Sequence, residues 1–496
     1  MKRIWTASQV RDAEDVLLAS AAEGALMRRA AYGVSVRAAE LLRERAGGVA
    51  GRRVALLVGG GNNGGDALWA GVELRRRGAR VDAVLLNPDR AHPAGLAALR
   101  RARGRVHNAG AEADAVVRAA NLVVDGIVGI SGRGPLREPA ATLVAAAEAE
   151  QVPILAVDLP SGVDPDTGAV EGPAVTATAT VTFGAYKPVH ALAPFRCGPV
   201  RLVDLGLGPH LPEQPDLYVL EAADVAKRWP IPGPADDKYT QGVVGVAAGS
   251  SIYPGAAVLA VGAAVVATSG MVRFAGSASD QVRARWPEVV AAGSVADSGR
   301  TQAWTVGPGI GTGHAGRDTV AAVLALGVPV CLDADAITLL ASTPDLADAA
   351  AEVPRVITPH ASEFVRIAGE IGPDRVAAAR GAAAKLGATV LLKGHVTVIA
   401  DPGGRAMAHP SSGSWAATAG SGDVLSGLIG ALLAAGLEPW WAAGCATYVH
   451  GLAASIAAGG GDLVADQSDG PTAPIGASAL LSAIPAAIRR VRGAAA

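Results

Sequence analysis

The sequence predicts an α/β protein made of two layered domains. Three observations carry this. Short β-branched runs alternate with Ala/Leu/Arg-rich helical patterns along the chain. Those runs are almost continuously apolar, as parallel strands covered on both faces are. An aperiodic Pro/Gly-rich stretch, LGLGPHLPEQPD from Leu205 to Asp216, interrupts the pattern. At 496 residues the chain is also too long for one core. The expected domains are residues 1–215 and 225–490, both ordinary sizes.

In the first half the predicted strands are RVALLV, VDAVLL, LVVDGIVG, VPILAVDLP and ATVTFG. After the Pro-rich WPIPGPADD and the segment KYTQG, the second half continues with VVGVAAG, AWTVGPGIG, VPVCLDADA, RVITPH and ATVLLKG. No short-period repeat is present. Half the residues are apolar and only 4% aromatic, so the cores must be built mainly from Ala, Val, Leu and Ile. With a net charge of −2 and no long Lys/Arg block, nothing calls for nucleic acid or an anionic membrane, and RRRGAR at 75–80 reads as a solvated helix end. Cys197, Cys331 and Cys445 lie far apart without metal-ligand spacing, which fits a reducing compartment. The charged N-terminus lacks the apolar centre of a signal peptide, and AAVLAVGAAVVATSG is too short and glycine-broken for a membrane span. The expected location is the cytoplasm.

GGGNNGGDAL, Gly59 to Leu68, lies between a strand and a helix, and its Gly59, Gly61 and Gly64 satisfy the dinucleotide fingerprint. A nicotinamide-dependent dehydrogenase is therefore one reading. Against it, the acid expected at the end of the next strand is missing, since Asp82 lies near that strand's start. Asp66 would also compete with a pyrophosphate for the helix amides. A tight turn with Asp66 as helix cap is a second, purely structural reading. The other strand ends add Asp125, Asp158 and Ser161 to Asn62, Asn63 and Asp66. Carboxylates, amides and a hydroxyl gathered there suit a hard cation or proton transfer, and no His/Cys cluster invites zinc.

GGGNNGGD, DGIVGISGRGP, and AVDLPSGVD with TVTFGAYKP, in this order, resemble NAD(P)H-hydrate epimerases over nearly all of the first half. The resemblance implies a Rossmann-like three-layer α/β/α domain. It also implies that Asn63, Asp125 and Ser161 help hold a potassium ion. The hydrated nucleotide would be contacted by Asn62, Asn63, Gly64, Gly65, Asp66, Gly129, Ile130, Ser131, Gly132, Arg133, Gly134, Pro135 and Asp158. Asp158 is then the acid/base that inverts C6 of the damaged ring. The sequence GIVGISGRGP departs from relatives that carry bulkier residues near the loop start, which bears on loop packing.

TAGSGDVLSGLIGALLAAG, Thr418 to Gly436, is a small-residue turn running into an amphipathic helix. Such a turn lets successive amides approach an oxyanion, with Asp423 at the mouth to take a proton from a substrate hydroxyl; the alternative is an ordinary capped helix. Supporting features are Lys393 and Gly394 after a strand, His360 and Glu363 after another, the glycine turn 306–313, and Asp333 with Asp335. Taken singly, His360 reads as a loop histidine, Lys393 as a sheet-edge residue and His450 in ATYVHGLAA as a satisfied core residue.

Together with KYTQG and GSSIYPGAAVLA, these pieces resemble the ribokinase-like fold and, within it, the ADP- or ATP-dependent NAD(P)H-hydrate dehydratases, over roughly residues 225–485. The resemblance implies a second α/β/α domain in which Ala257, Gly309, Gly311, His360 and Asp423 contact the hydrate. Lys393, Gly394, His395, Val396, Thr397 and Gly422 would contact the adenine nucleotide, magnesium would accompany its phosphates, and Asp423 would be the catalytic base. The implied whole is a repair enzyme: epimerisation of R- and S-NAD(P)HX, then dehydration of the S form with ADP as co-substrate. A ribokinase-like small-molecule kinase fused to a nucleotide-binding domain is the alternative. The expected partners are these small molecules and further copies of the chain, with no nucleic acid and no membrane. The roles of Lys187, Asp333 and Asp335 stay open at this level.

Overall fold

A computed structural model describes residues 1–268, 270–410, 414–459 and 472–494. Parts of the predicted second domain, 460–471 among them, lie outside the described residues, as does Ser269 of the Ala-rich run. The chain forms two compact units, Arg3–Leu217 and Tyr218 onward with Met1–Lys2.

The Arg3–Leu217 unit is built on a seven-stranded parallel sheet. Its spatial order is Arg105–Asn108, Arg80–Leu85, Arg53–Val58, Leu122–Gly126, Ile154–Val157, Ala179–Phe183, Val200–Val203. Alternate residues feed two separate cores: Val54, Leu56 and Val58 pack toward one helical layer, Ala55 and Leu57 toward the other. Three layers result. The expected strand LVVDGIVG ends at Gly126, and VPILAVDLP contributes only Ile154–Val157, the remainder forming loops. Two strands had no sequence signal, Arg105–Asn108 and Val200–Val203, because these outer strands are short and partly polar. The strand order reverses between Arg53–Val58 and Leu122–Gly126, so the loops after both open into the crevice where α/β sheets bind ligands.

In the second unit the parallel strands run Val290–Ala292, Met271–Ala275, Val243–Ala247, Ala303–Val306, Val330–Leu332, Arg355–Ile357 and Thr389–Leu392. Val396–Ala400 and Ala406–Pro410 then add antiparallel pairings. Helices Pro254–Ala267, Ser421–Ala434, Pro439–Ala457 and Ala477–Gly493 share one core, while His314–Leu324 and Asp335–Ser342 share the core on the other face. Helix Ser421–Ala434 is buried from Val424 onward. Its small residues explain how it fits: a side chain at Gly427 would meet the Ala260 carbonyl at 2.1 Å, and one at Gly430 the Thr305 hydroxyl at 2.0 Å. Thr305 Oγ1 donates to the Ser426 carbonyl at 2.9 Å, which ties the helix to the central strand. Among the described residues no helix is long and apolar enough to cross a membrane.

Candidate active sites

In the first unit, strand Arg53–Val58 delivers Gly59 to Gly61, and helix Asn62–Arg76 begins immediately after. The close approach is possible only for glycine, since a Cβ on Gly59 would lie 1.9 Å from the Ile127 carbonyl oxygen and one on Gly64 2.2 Å from that of Gly59. The helix cap is Gly61, so Asp66 is not a cap residue. It lies inside the helix, buried, and its Oδ1 has no hydrogen-bond partner; the same holds for Asn63 Nδ2. Burial, reinforced by the charges of Asp158 and Glu14, holds the Asp66 carboxyl well above the usual carboxylate range.

Strand Leu122–Gly126 places Asp125 fully inside, where Oδ1 accepts from Ser161 Oγ at 2.7 Å and from Ile127 N at 3.2 Å, and Oδ2 from Ser161 N at 2.9 Å. Ser161 Oγ also lies 3.1 Å from Val128 N and 3.3 Å from the Val128 carbonyl oxygen. Burial pushes the Asp125 carboxyl up to about 6 even against these hydrogen bonds. A buried carboxylate among neutral oxygens is a donor set that fits a monovalent cation.

Asp158 follows strand Ile154–Val157 with φ +70°, uncommon for a residue with a side chain. His190 holds it there: its Nδ1 accepts from Lys187 N at 3.0 Å, so Nε2 carries the proton and donates to the Asp158 carbonyl at 2.9 Å. Asp158 Oδ1 accepts from Lys187 Nζ at 2.6 Å and Thr182 Oγ1 at 3.0 Å. Burial raises this carboxyl, but the Lys187 ammonium and its hydrogen bond outweigh burial and hold it below the ordinary range. Oδ2 faces the other way. It and Asn63 Oδ1 lie 3.3 and 3.2 Å from the Cβ position of Gly129, so three residues predicted to share a site converge. Arg133 of the same loop instead turns back to the Ile130 and Gly132 carbonyls and donates to Asp166 Oδ2 at 3.0 Å. Ser131, Gly134 and Pro135 are exposed. Sequence reasoning missed Glu14, on helix Ala7–Leu18, whose carboxyl burial pushes up to about 7. It left Lys187 undecided, although a lysine at the end of the apolar run TVTFGAY was a usable signal.

In the second unit, the loops after strands Ala303–Val306, Val330–Leu332, Arg355–Ile357 and Thr389–Leu392 carry the predicted residues at the carboxyl ends of the parallel strands. Asp333 is buried, and its Oδ1 accepts from Lys393 Nζ and Thr358 Oγ1, both at 2.8 Å. Asp335 does something different, its Oδ2 accepting from Gly311 N at 2.8 Å and so shaping the glycine turn. A Cβ on Gly422 would lie 3.6 Å from Lys393 Nζ and 3.9 Å from Asp333 Oδ2, so the second glycine loop meets the lysine there. Helix Ser421–Ala434 is capped by Gly420 at φ +85°, not by Asp423, which sits in the first turn. Burial, then the charge of Asp333, pushes the Asp423 carboxyl up to about 7 despite Lys393. His360 does cap its own helix: its Nδ1 faces Glu363 N at 3.4 Å, and Glu363 Oε2 accepts from His360 N at 2.8 Å.

The remaining predicted contacts divide. Gly309, at φ +65°, approaches Ala256 and Tyr253, with 3.1 Å between its Cβ position and either side chain, whereas Ala257 is buried against Gly249. Gly394 and His395 are exposed, Val396 is buried, and Thr397 pairs across the ladder with His409. Arg375 holds the Lys393 carbonyl at 3.0 Å, a role no sequence pattern announced.

Two family models match the chain. One described as YjeF-related protein N-terminus covers residues 23–189, and one described as NAD(P)H-hydrate dehydratase covers residues 244–464. The bifunctional NAD(P)H-hydrate repair enzyme Nnr of Mycobacterium tuberculosis (strain CDC 1551 / Oshkosh) is 58% identical, over 88% of this chain and 90% of its own. That of Mycobacterium leprae (strain TN) is 55% identical, over 98% of this chain and 99% of its own. A solved structure of ADP/ATP-dependent NAD(P)H-hydrate dehydratase from Bacillus subtilis, co-crystallised with ATP/Mg2+, is 26% identical over 55% of this chain and 99% of that one, with a TM-score of 0.47.

Proposed function

The chain belongs to the bifunctional NAD(P)H-hydrate repair enzymes, and from that premise we propose how its residues carry the two reactions. It epimerises R- and S-NAD(P)HX and dehydrates the S form back to NAD(P)H in a nucleotide-dependent step. We assign the first reaction to residues 1–215 and the second to residues 225–490.

For epimerisation, C6 of the hydrated ring lies between the Asp66 and Asp158 carboxyls. Asp66 protonates the C6 hydroxyl, the lone pair of the ring nitrogen expels water, and a C=N bond forms. Water then adds to the opposite face of C6 and gives a proton to Asp158; solvent exchange returns both carboxyls to their starting states. The opposite tuning of the two groups supports these roles, Asp66 above and Asp158 below the ordinary range. Asn62, Asn63, Gly64, Gly65 and the loop 129–135 position the nucleotide. Asn63, Asp125 and Ser161 would hold potassium, which when bound supplies the positive charge that the buried Asp125 lacks.

For dehydration, Asp423 takes the proton of the C6 hydroxyl as that oxygen attacks the terminal phosphate of ADP, releasing AMP. The phosphate ester is a better leaving group than hydroxide. Ring-nitrogen electrons expel it, and loss of a C5 proton restores the double bond. The observation that carries this assignment is Asp423 at the mouth of a helix N-terminus, buried enough to titrate near neutrality while Lys393 is engaged by Asp333. Gly422 and residues 393–397 receive the nucleotide; Ala257, Gly309, Gly311 and His360 border the hydrate. Magnesium, accompanying the phosphates, would neutralise charge on the transferring group. The proposal is completed by a cytoplasmic homo-oligomer whose order light scattering would measure.

The test is product formation from mixed hydrated NADH epimers with ADP, ATP or neither. Return of the dihydronicotinamide absorbance from both epimers, only with nucleotide, supports both assignments and names the donor. Recovery of the S fraction alone would remove the epimerase assignment. A stable phosphate ester without absorbance would favour a small-molecule kinase.

A further inference from the structure

Helix Pro439–Ala457 is apolar and largely buried, yet it carries His450, half-buried, with Nε2 2.9 Å from the carbonyl oxygen of Ser421. A carbonyl only accepts, so Nε2 carries the proton and the ring is the Nε2–H tautomer. Burial holds the imidazole down at about 4, so it is a neutral donor at neutral pH. Ser421 is the first residue of helix Ser421–Ala434, and its carbonyl shares one peptide plane with the Gly422 N–H. In a trans peptide the two groups point in opposite directions. A donor on the Ser421 oxygen therefore draws electron density away from the Gly422 amide and strengthens it as a donor. That amide lies in the first turn, where no intrahelical acceptor reaches it, and the Cβ position of Gly422 is 3.6 Å from Lys393 Nζ and 3.9 Å from Asp333 Oδ2. The turn itself is built from small residues, Ala419, Gly420, Ser421 and Gly422.

We propose that His450 is a positioning residue of the dehydratase site, fixing and polarising the Ser421–Gly422 peptide so that the Gly422 amide meets the nucleotide phosphate. The proposal rests on the reading that Gly422 faces the nucleotide. It separates His450 from a core residue that is merely satisfied: the bond reaches across 29 residues to one peptide of the phosphate loop.

The experiment is calorimetric titration of the full-length chain with ADP and magnesium, together with steady-state kinetics. His450→Leu and His450→Asn, neither of which can reach the carbonyl, should weaken ADP binding about tenfold, the scale of one hydrogen bond. The KM for the S hydrate should stay unchanged. His450→Gln, whose amide extends as far as Nε2, should remain within about threefold of wild type. Wild-type ADP affinity in His450→Leu, or a Gln variant as weak as Leu and Asn, overturns the proposal. Absence of ADP binding in the wild type would defeat the parent reading, and this inference with it. Should the Leu and Asn variants fail to fold, 15N spectroscopy of the wild-type imidazole decides: an Nε2–H resonance that shifts when ADP and magnesium are added sustains the proposal, and an Nδ1–H tautomer or an Nε2–H resonance indifferent to ADP ends it.

Discussion

Replacing Lys187 by methionine keeps most of the stem and removes the charge. The ammonium is 1% exposed and donates to Asp158 Oδ1 at 2.6 Å, Thr182 Oγ1 at 2.9 Å and the Phe183 carbonyl at 3.0 Å, so all three of its protons are placed. The variant leaves Asp158 ionised and buried with no cation beside it. Breaking a buried pair in this way costs about 3–5 kcal/mol. For a unit of this size each kcal/mol moves the melting temperature by about 2–4 °C, so the first unit should melt roughly 6–20 °C lower near pH 8. The pH dependence follows from the direction of the Asp158 shift. In the wild type the folded pKa lies below the unfolded one, so the pair's stability is present above the unfolded value and lost as pH falls through the folded value. In the variant burial is opposed only by the smaller contributions of His190 and the Thr182 hydrogen bond and raises the folded pKa, so the defect is greatest at high pH and shrinks as acid protonates Asp158. Differential scanning calorimetry of the full chain between about pH 8 and pH 5 reads both effects. A shift of less than about 2 °C near pH 8, or one that does not shrink toward pH 5, would refute the reasoning.

Four further expectations come from the two sites. Asp423→Asn should lower the dehydration kcat by about 10²–10⁴ without lowering the melting temperature, since a neutral amide relieves the burial of the charge. Because burial pushes Asp423 up to about 7, the wild-type kcat/KM should rise with pH through that value and then level, as a pH–rate profile would show. Asp125→Asn should abolish potassium stimulation of epimerisation, weakening the ion by more than the roughly 10–100-fold typical of losing an outer-shell partner; unchanged stimulation in a salt titration would remove Asp125 from the site. Gly64→Ala would put a methyl 2.2 Å from the Gly59 carbonyl, so the backbone must move. We expect a loss of about 1–3 kcal/mol in the first unit and loss of epimerase turnover, with dehydration of pure S epimer intact.

What could be read from sequence was whatever depends on neighbours along the chain. Strand ends, glycine loops and the carboxylates placed on them came from local pattern, and the layered α/β class came from apolar runs. Groups defined by contact across the fold were not readable. Lys187 gains its meaning from Asp158, 29 residues away. Asp333 and Asp335 look alike in LDADA, but one holds Lys393 across 60 residues while the other shapes a glycine turn. Glu14 gave no signal, since a glutamate on a helix near the N-terminus is ordinarily solvated. The cap readings of Asp66 and Asp423 fail for a shared reason: glycine occupies each cap position and leaves the carboxylate inside the first turns.

The two sites use the same pair of residue types with opposite connections, and this sets what each aspartate can do. Lys187 binds Asp158 itself, so burial is overcome and the charge is fixed across the neutral range. Such a carboxylate stays ionised, ready to receive the proton of the incoming water, and is a steady counter-charge for a ring that becomes cationic when water departs. Lys393 binds Asp333, not Asp423. Its charge still favours ionised Asp423, but too weakly to overcome burial, and Asp333 opposes it. Asp423 is therefore left near neutrality, where a base combines availability with proton affinity. Moving the lysine's contact onto Asp423 would fix that charge as well, and the second site would then lose its base while keeping every residue that its sequence motif specifies.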